Sequence, residues 1–248
     1  VVVPPAVSEP VLLQDPAYSL DAPRDIFIYY AGNPKNNGIR LQVYKELAQL
    51  QRAGTHSLLL HDLSPRSPPL SPGQHTALRL RSTFCPVPPA HAPFQQRFFE
   101  AILAGCLPVV VKFRSHVAGE ASWHGVEGPP ARLSVPFWEE VGYEKFVVQV
   151  PYEEVLQGRF TAPLVAMPPA ELRRRQEALY AVRRFLLYRP DCSEDAMAPL
   201  WERLGRYVRE LREGVGVAQV CERPLQDLGQ EHYGVGHVCH AVAQPRGG

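Results

Sequence analysis

The sequence predicts an α/β domain built on a parallel β-sheet. Short apolar runs alternate with segments of helical spacing along most of the chain, which is the pattern of β-α-β units. Leu107 to Val111 is a continuous apolar run, as expected for a parallel strand buried on both faces. The stretch from Ser82 to Val111 combines both features, because it has the order strand, proline-stiffened loop, helix, glycine turn and strand.

The first elements follow from apolar spacing and capping residues. Asp25 to Ala31 is predicted to be a strand that ends at Gly32 and a polar turn, and His56 to His61 is predicted to be the next strand. Between them, a helix from Ile39 to Gln51 is predicted because one face carries Leu41, Tyr44, Leu47, Ala48 and Gln51. A second helix is predicted from Ser71 to Leu80, with Ser71 as N-cap and Pro72 at the first helical position.

The later elements are predicted in the same way. Thr83 to Val87 is a β-rich run, Phe94 to Leu103 has helical spacing, and Gly105 supplies a left-handed cap before the Leu107 strand. A long loop over 112–134 is followed by a predicted short helix over Pro136–Val141 and a predicted strand over Phe146–Val150. A long helix with a buried leucine stripe is predicted over 168–187, and a further helix over Ser193–Arg212. The segment from Gly214 to the end is predicted to be irregular.

Composition excludes several functions. The 248 residues carry a formal charge of +1, so no overall field attracts nucleic acid or anionic membranes. The arginines at 173–175 and 183–184 are interleaved with Glu171 and Glu177, which predicts a solvated helix face. No apolar run approaches the 18 residues of a membrane span. The chain opens on Val1 without a methionine, and we expect it to be a fragment of a longer protein.

The five cysteines show no metal-ligand spacing. Cys85 and Cys106 fall at buried strand or turn positions, which favours a role as small core hydrophobes. A disulfide between Cys192 and Cys221, or between Cys221 and Cys239, is left open.

Two groups of residues have the chemistry of a phosphate and ribose site. Gly32 ends a strand before a helix whose free N–H groups and Arg40 could bind a diphosphate. Arg97 and Glu100 share a helix face beside a strand end, where the cation could bind phosphate and the carboxylate could accept the ribose hydroxyls. The alternatives are an ordinary turn with an exposed arginine, and a surface salt bridge between Arg97 and Glu100.

One ordered block of residues resembles the signature of the exostosin family of glycosyltransferases. The matching residues are Ser82, Phe84, Cys85, Pro88, Arg97, Glu100, Ala101, Ile102, Gly105, Cys106, Pro108 and Val109. The resemblance extends over roughly Val1 to Arg189. It implies a Rossmann-like domain that forms the C-terminal, donor-binding half of a GT-B type glycosyltransferase. The predicted domains are therefore 1–190 for donor binding, a packed helix over 191–213 and a tail over 214–248.

The resemblance also implies a reaction. A sugar would pass from a UDP-sugar donor to a hydroxyl of a glycan or glycoprotein acceptor, with Gly32, Arg40, Arg97 and Glu100 binding the donor nucleotide. His91 and Phe137 are candidate contacts to the donor sugar, and the catalytic residue is not assigned. No Asp-x-Asp motif is present, so we expect no metal and no cofactor; UDP-sugar is the substrate.

The resemblance further implies the partners and the compartment. The acceptor side would come from a missing N-terminal domain or from a partner glycosyltransferase, so the face around Arg40, Pro89 and Phe137 is expected to be exposed and apolar. Family members suggest a type II Golgi membrane enzyme with a lumenal domain. The competing interpretation is a non-catalytic exostosin-like partner that stabilises an active glycosyltransferase, which the unusual loop at Ala90 to Gln96 favours.

Overall fold

The computed structural model describes residues 16–34, 37–63, 68–89 and 96–186, together with Glu202, 204–206 and Arg209. The chain divides into two units, Val1–Pro199 and Leu200–Gly248, and the described residues of the second unit are helical. The predicted tail over 214–248 and most of the predicted helix over 193–212 lie outside the described residues. The proposed domain boundaries therefore stay predictions.

The first unit contains a mainly parallel sheet, as the sequence predicts. Its strands are β1 (Ile26–Gly32), β2 (Leu58–Asp62), β3 (Ser82–Pro86), β4 (Leu107–Arg114), β5 (Ala121–Ser122) and β6 (Val148–Pro151). The parallel strands lie in the order β2-β1-β3-β4-β6, and the two-residue β5 pairs antiparallel with the end of β4. The Rossmann-like fold class is confirmed.

Helices connect these strands. They are α1 (Gly38–Ala53), α2 (Pro72–Leu80), α3 (Gln96–Leu103), α4 (Ala131–Ser134), α5 (Trp138–Val141), α6 (Tyr152–Leu156), α7 (Ala162–Val165) and α8 (Pro169–Val182). Short 3₁₀ turns cover Pro16–Tyr18, Tyr143–Lys145 and Arg183–Leu186. Within the described ranges, no helix is both long and apolar enough to cross a bilayer.

Two neighbouring tyrosines show which helices cover each face of the sheet. Successive side chains of a strand point to opposite faces. The Tyr29 hydroxyl is hydrogen-bonded to His75 Nδ1 of α2, whereas the Tyr30 ring packs 6.4 Å from the Tyr44 ring of α1. Thus α1 and α2 lie on opposite faces, as right-handed crossovers in opposite directions require.

The face of α1 predicted from apolar spacing is only partly buried, with Leu47 inside and Tyr44 and Ala48 partly covered. Leu41 is 40% exposed and Gln51 is exposed, whereas the buried residues are Arg40, Val43, Glu46 and Leu47. Two of these residues, Arg40 and Glu46, are charged, and they can be buried because they form hydrogen bonds to distant backbone groups. Glu46 Oε2 accepts a hydrogen bond of 2.6 Å from the Phe160 N–H, and Arg40 donates to a carbonyl in the loop after β3. Apolar spacing alone therefore misplaces the face of this helix.

Gly105 ends α3 in the left-handed conformation that the sequence predicts, with φ of 69°. A Cβ at this position would lie 2.3 Å from the Tyr180 hydroxyl and 2.5 Å from Arg24 Nη2. Arg24 uses this space to donate to the Ala104 carbonyl at 2.9 Å and to the Tyr180 hydroxyl at 2.9 Å. The glycine therefore permits a close contact between α3, α8 and the segment before β1.

The interpretation of Cys85 and Cys106 as free core residues is wrong, because they form a disulfide with Cα atoms 5.8 Å apart. Their sequence separation of 21 residues hides this proximity. The β3-α3-β4 crossover returns the chain to the strand beside β3, where Cys85 pairs with Pro108. Both cysteines are buried, and Cys192, Cys221 and Cys239 lie outside the described residues.

Two further expectations need correction. The predicted loop over 112–134 contains the end of β4, β5 and α4, because the hairpin after β4 pairs Phe113 with Ser122. The arginine cluster is also only partly solvated. Arg173 and Arg174 form ion pairs on the surface of α8, but Arg183 is buried with its guanidinium 4.1 Å from the centre of the Tyr180 ring.

We expect the Cys85→Ala/Cys106→Ala double variant to unfold with a free energy about 3 kcal/mol lower than that of the parent. The disulfide restricts the unfolded chain by closing the 21-residue separation. Urea unfolding of both proteins measures the difference. Peptide mapping without reduction is the control, and two unlinked cysteines in the parent would contradict the assignment.

Candidate functional site

The sheet has a topological switch point between β1 and β3. From β1 the chain passes through α1 to β2, and from β3 it passes through α3 to β4 on the other side of the sheet. A crevice therefore opens outside the carboxyl ends of β1 and β3, and such crevices are the usual ligand sites of open α/β sheets. The predicted residues Gly32, Arg40 and Arg97 all lie at this edge.

Arg97 approaches the crevice from the first turn of α3. Its Nη1 donates a hydrogen bond of 2.8 Å to the carbonyl of Ala31, which is next to Gly32 at the end of β1. The side chain is partly exposed. One N–H of the guanidinium thus fixes its position, and a guanidinium has five N–H donors in all.

Arg40 approaches from the first turn of α1 on the opposite face. Asn37 caps this helix, because its Oδ1 accepts from the Arg40 N–H at 2.8 Å. Asn37 Nδ2 and Arg40 Nε both donate to the Pro89 carbonyl, at 3.0 and 2.8 Å. The Arg40 side chain is thereby tied to the loop that follows β3, and the residue is only 4% exposed.

The two arginines are close enough to influence each other. Burial lowers the pKa of Arg40, the Tyr30 hydroxyl raises it, and the positive charge of Arg97 lowers it again. An arginine nevertheless stays protonated in proteins. The crevice therefore holds two guanidinium groups, one anchored on Ala31 of β1 and the other on Pro89 after β3, and guanidinium groups are well suited to bind anions.

Glu100 faces a different partner from Arg97. Its Oε2 forms an ion pair of 2.5 Å with Arg79 Nη2 of α2, and the two side chains are 23% and 8% exposed. The predicted alternative, a surface salt bridge between Arg97 and Glu100, is wrong because Arg97 donates to Ala31. Burial lowers the pKa of Arg79, and the Glu100 carboxylate raises it.

Tyr29, His75 and His61 extend the polar cluster around this ion pair. Burial raises the pKa of Tyr29 to about 12, and burial also lowers the pKa of His75. The His61 ring lies 5.8 Å from the His75 ring. Sequence reasoning missed Arg79 and this cluster, because helical spacing does not reveal which residues of α2 and α3 meet across the sheet face.

A pocket of about 440 Å³ adjoins the crevice on the α1 side. The first turn of α1, Pro89, His124 and α6 line it, so it shares Asn37 and Pro89 with the crevice. Burial lowers the pKa of His124, and its Nδ1 is buried with no hydrogen-bond partner in the described part of the chain. The volume of the pocket is in the usual range for small-molecule sites. His124 was also missed, because it lies in the predicted loop.

The two candidate sugar contacts and the expected apolar face have different outcomes. His91 lies outside the described residues. Phe137 is 1% exposed at a backbone φ of 51°, so a sugar could reach its ring only if its neighbours moved, and its role stays a prediction. Arg40, Pro89 and Phe137 are all buried, so they do not themselves form the expected exposed apolar face, and the partner surface around them stays a prediction.

No cluster of three or more His, Cys, Asp or Glu side chains among the described residues could hold a metal ion. The expectation that donor binding needs no metal stays a prediction.

Comparisons with known proteins agree on one family. The family model of the exostosin GT47 domain matches residues 1–163. A probable glucuronosyltransferase of Oryza sativa subsp. japonica is 31% identical over 115 residues, which cover 45% of this chain and 26% of that protein. A probable xyloglucan galactosyltransferase of Arabidopsis thaliana is 32% identical over 106 residues, which cover 40% of this chain and 23% of that protein. The chain thus spans about a quarter of the length of these relatives.

We expect Arg79→Leu to lower the free energy of unfolding by about 2 kcal/mol, because it leaves the half-buried Glu100 carboxylate without its cation. Arg81→Leu is the matched control. Arg81 is two residues away and pairs with Asp25, but both side chains are more than half exposed, so its loss should lower stability much less than the loss of Arg79. Equal losses in urea unfolding would show that the Arg79–Glu100 pair is no more important than a surface pair.

Proposed function

The chain belongs to the exostosin GT47 family, and on this premise we propose that it binds the UDP-sugar donor of a glycosyltransferase. The diphosphate would occupy the crevice between the carboxyl ends of β1 and β3. The acceptor would be a hydroxyl group of a glycan or glycoprotein. The chain would act with a partner domain or partner glycosyltransferase that presents this acceptor.

The observation that carries the proposal is that Arg97 is anchored at the carboxyl end of β1 and Arg40 on the loop just after β3, at the two sides of the crevice. The two side chains come from opposite faces of the sheet, and each uses one N–H to hold a backbone carbonyl. Guanidinium groups bind phosphate oxygens in a planar, often bidentate geometry. Two such groups near one strand end would match the charge of a diphosphate better than that of a neutral ligand.

Glu100 supports a ribose contact in the same crevice. A carboxylate has about four acceptor positions on its two oxygens. The ion pair with Arg79 occupies Oε2 and orients the group, so the carboxylate retains capacity for ribose hydroxyls. We therefore keep the assignment of Glu100 to the ribose and Arg97 to a phosphate.

The adjoining pocket would take another part of the donor. It begins at Asn37 and Pro89, the two residues that also hold Arg40. His124 and Tyr152 offer a polar and an aromatic contact in this pocket. The sugar or the base of the donor could enter it while the diphosphate remains near the end of β1.

In the proposed reaction the bond between the anomeric carbon and the β-phosphate oxygen breaks, and the acceptor oxygen bonds to the anomeric carbon. Negative charge grows on the departing diphosphate. Arg40 and Arg97 would stabilise this charge from fixed positions, which is the form of electrostatic catalysis that costs no reorganisation during the reaction. Proton removal from the acceptor would be the task of a group that we do not assign.

The Cys85–Cys106 disulfide supports a location in an oxidising compartment. Together with the family membership, this favours the lumen of the Golgi as the place of action. We propose this location for the domain described here.

We expect Arg97→Gln to weaken UDP binding by about 1.5–3 kcal/mol, the usual value of a hydrogen bond to a charged group. Isothermal titration calorimetry with the full chain measures this change. Arg81→Gln is the matched control, because Arg81 is an exposed arginine that pairs with Asp25. Its UDP affinity should equal that of the parent.

Three results would decide between the candidate functions. If Arg97→Gln loses UDP affinity and Arg81→Gln does not, the result supports the proposed donor site. If Arg97→Gln and Arg81→Gln both bind UDP as tightly as the parent, the diphosphate does not bind in this crevice. A parent chain that binds no UDP at millimolar concentration would favour the non-catalytic partner instead.

A further inference from the structure

The hydroxyl of Tyr30 is an unsatisfied polar group inside the domain. Tyr30 is 1% exposed, and its hydroxyl oxygen is buried without a hydrogen-bond partner among the described residues. Buried hydroxyl groups nearly always have a partner, because an unpaired one loses its bonds to water. The packing of the described residues therefore does not account for this hydroxyl.

The hydroxyl lies at the end of β1, over the backbone of Gly32. Tyr30 and Gly32 are two residues apart in the strand and so face the same side of the sheet. A Cβ on Gly32 would lie 2.4 Å from the Tyr30 hydroxyl oxygen and 2.6 Å from Cζ. A side chain at position 32 would therefore push the buried Tyr30 ring aside, which is a different reason for glycine from the ligand approach predicted from the sequence.

The charges around the hydroxyl indicate what could bind there. Arg40, Arg97 and Asp62 all interact electrostatically with Tyr30, and the Tyr44 ring lies 6.4 Å away. Two of these three charges are positive and come from the two helices that flank the crevice. A phenol can donate one hydrogen bond, and the complementary partner between two guanidinium groups is an anionic oxygen.

We propose that the Tyr30 hydroxyl donates a hydrogen bond to a phosphate oxygen of the bound nucleotide. This assignment rests on the proposed function, and it adds Tyr30 to the donor-binding residues. The hydroxyl is covered in the free chain, so the ligand has to displace a neighbouring side chain to reach it.

A ligand role and a structural role predict opposite effects of Tyr30→Phe. If the hydroxyl held the fold together, its removal would lower stability. If the hydroxyl instead contacts a ligand, Tyr30→Phe removes a group that is buried and unpaired in the free chain. The free variant should then be as stable as the parent or more stable. Only the affinity for a phosphate-bearing ligand should fall.

The test compares the parent, Tyr30→Phe and the matched control Tyr44→Phe, which removes the hydroxyl of the adjacent ring on α1. UDP binding is measured by calorimetry, uridine binding by ligand-observed NMR titration, and stability by thermal unfolding. We expect Tyr30→Phe to bind UDP about five- to tenfold more weakly, with an unchanged affinity for uridine and no decrease in melting temperature. Tyr44→Phe should match the parent in UDP affinity.

Each contrary result overturns a different statement. If the parent binds UDP and Tyr30→Phe binds it equally well, the hydroxyl does not contact the phosphates, although the proposed donor site stands. If Tyr30→Phe loses stability and weakens UDP and uridine alike, the hydroxyl is structural and the inference is wrong. If the parent itself binds no UDP, both the proposed function and the role of Tyr30 are wrong.

Discussion

The reversal of chain direction between β1 and β3 is the constraint on which the site depends. Because α1 leaves β1 over one face of the sheet and α3 leaves β3 over the other, their first turns meet only at the carboxyl edge. Arg40 and Arg97 therefore approach each other from opposite faces. Neither could be moved to another turn of its helix without losing its backbone anchor, Pro89 for Arg40 and Ala31 for Arg97.

The position of the Glu100 carboxylate sets the charge of the crevice. Glu100 is three residues from Arg97 on the same helix, where an ion pair would be the usual outcome. Arg79 on α2 binds the carboxylate instead, so Arg97 is free to reach the end of β1. The buried pair between α2 and α3 thus determines how charges are distributed over the edge of the sheet. Under the proposed function, Arg79 would therefore affect anion binding without contacting the anion.

The sequence predicted the helices and strands better than the contacts between residues distant in the chain. Periodicity, the Ser71 cap and Gly105 placed most strands and the longer helices, because these signals are local, whereas the short elements β5, α4, α6 and α7 were missed. The buried face of α1 was missed because Arg40 and Glu46 are buried through bonds to residues 49 and 114 positions away. The Cys85–Cys106 disulfide was missed for the same reason, since only the crossover brings its ends together. At the site, the arginines came from local motifs, whereas Arg79, Tyr30 and His124 required the packed structure.

The disulfide connects the proposed oxidising compartment to the geometry of the candidate site. The segment between Cys85 and Cys106 includes the end of β3, the loop with Pro89 and the whole of α3 with Arg97 and Glu100. The covalent link between Cys85 and Cys106 holds the two ends of this segment together and limits how far the end of α3 can move from β3. Since Arg40 is anchored on the Pro89 carbonyl, the same link also restrains the second arginine. An oxidising environment would therefore stabilise the convergence of the two guanidinium groups as well as the fold.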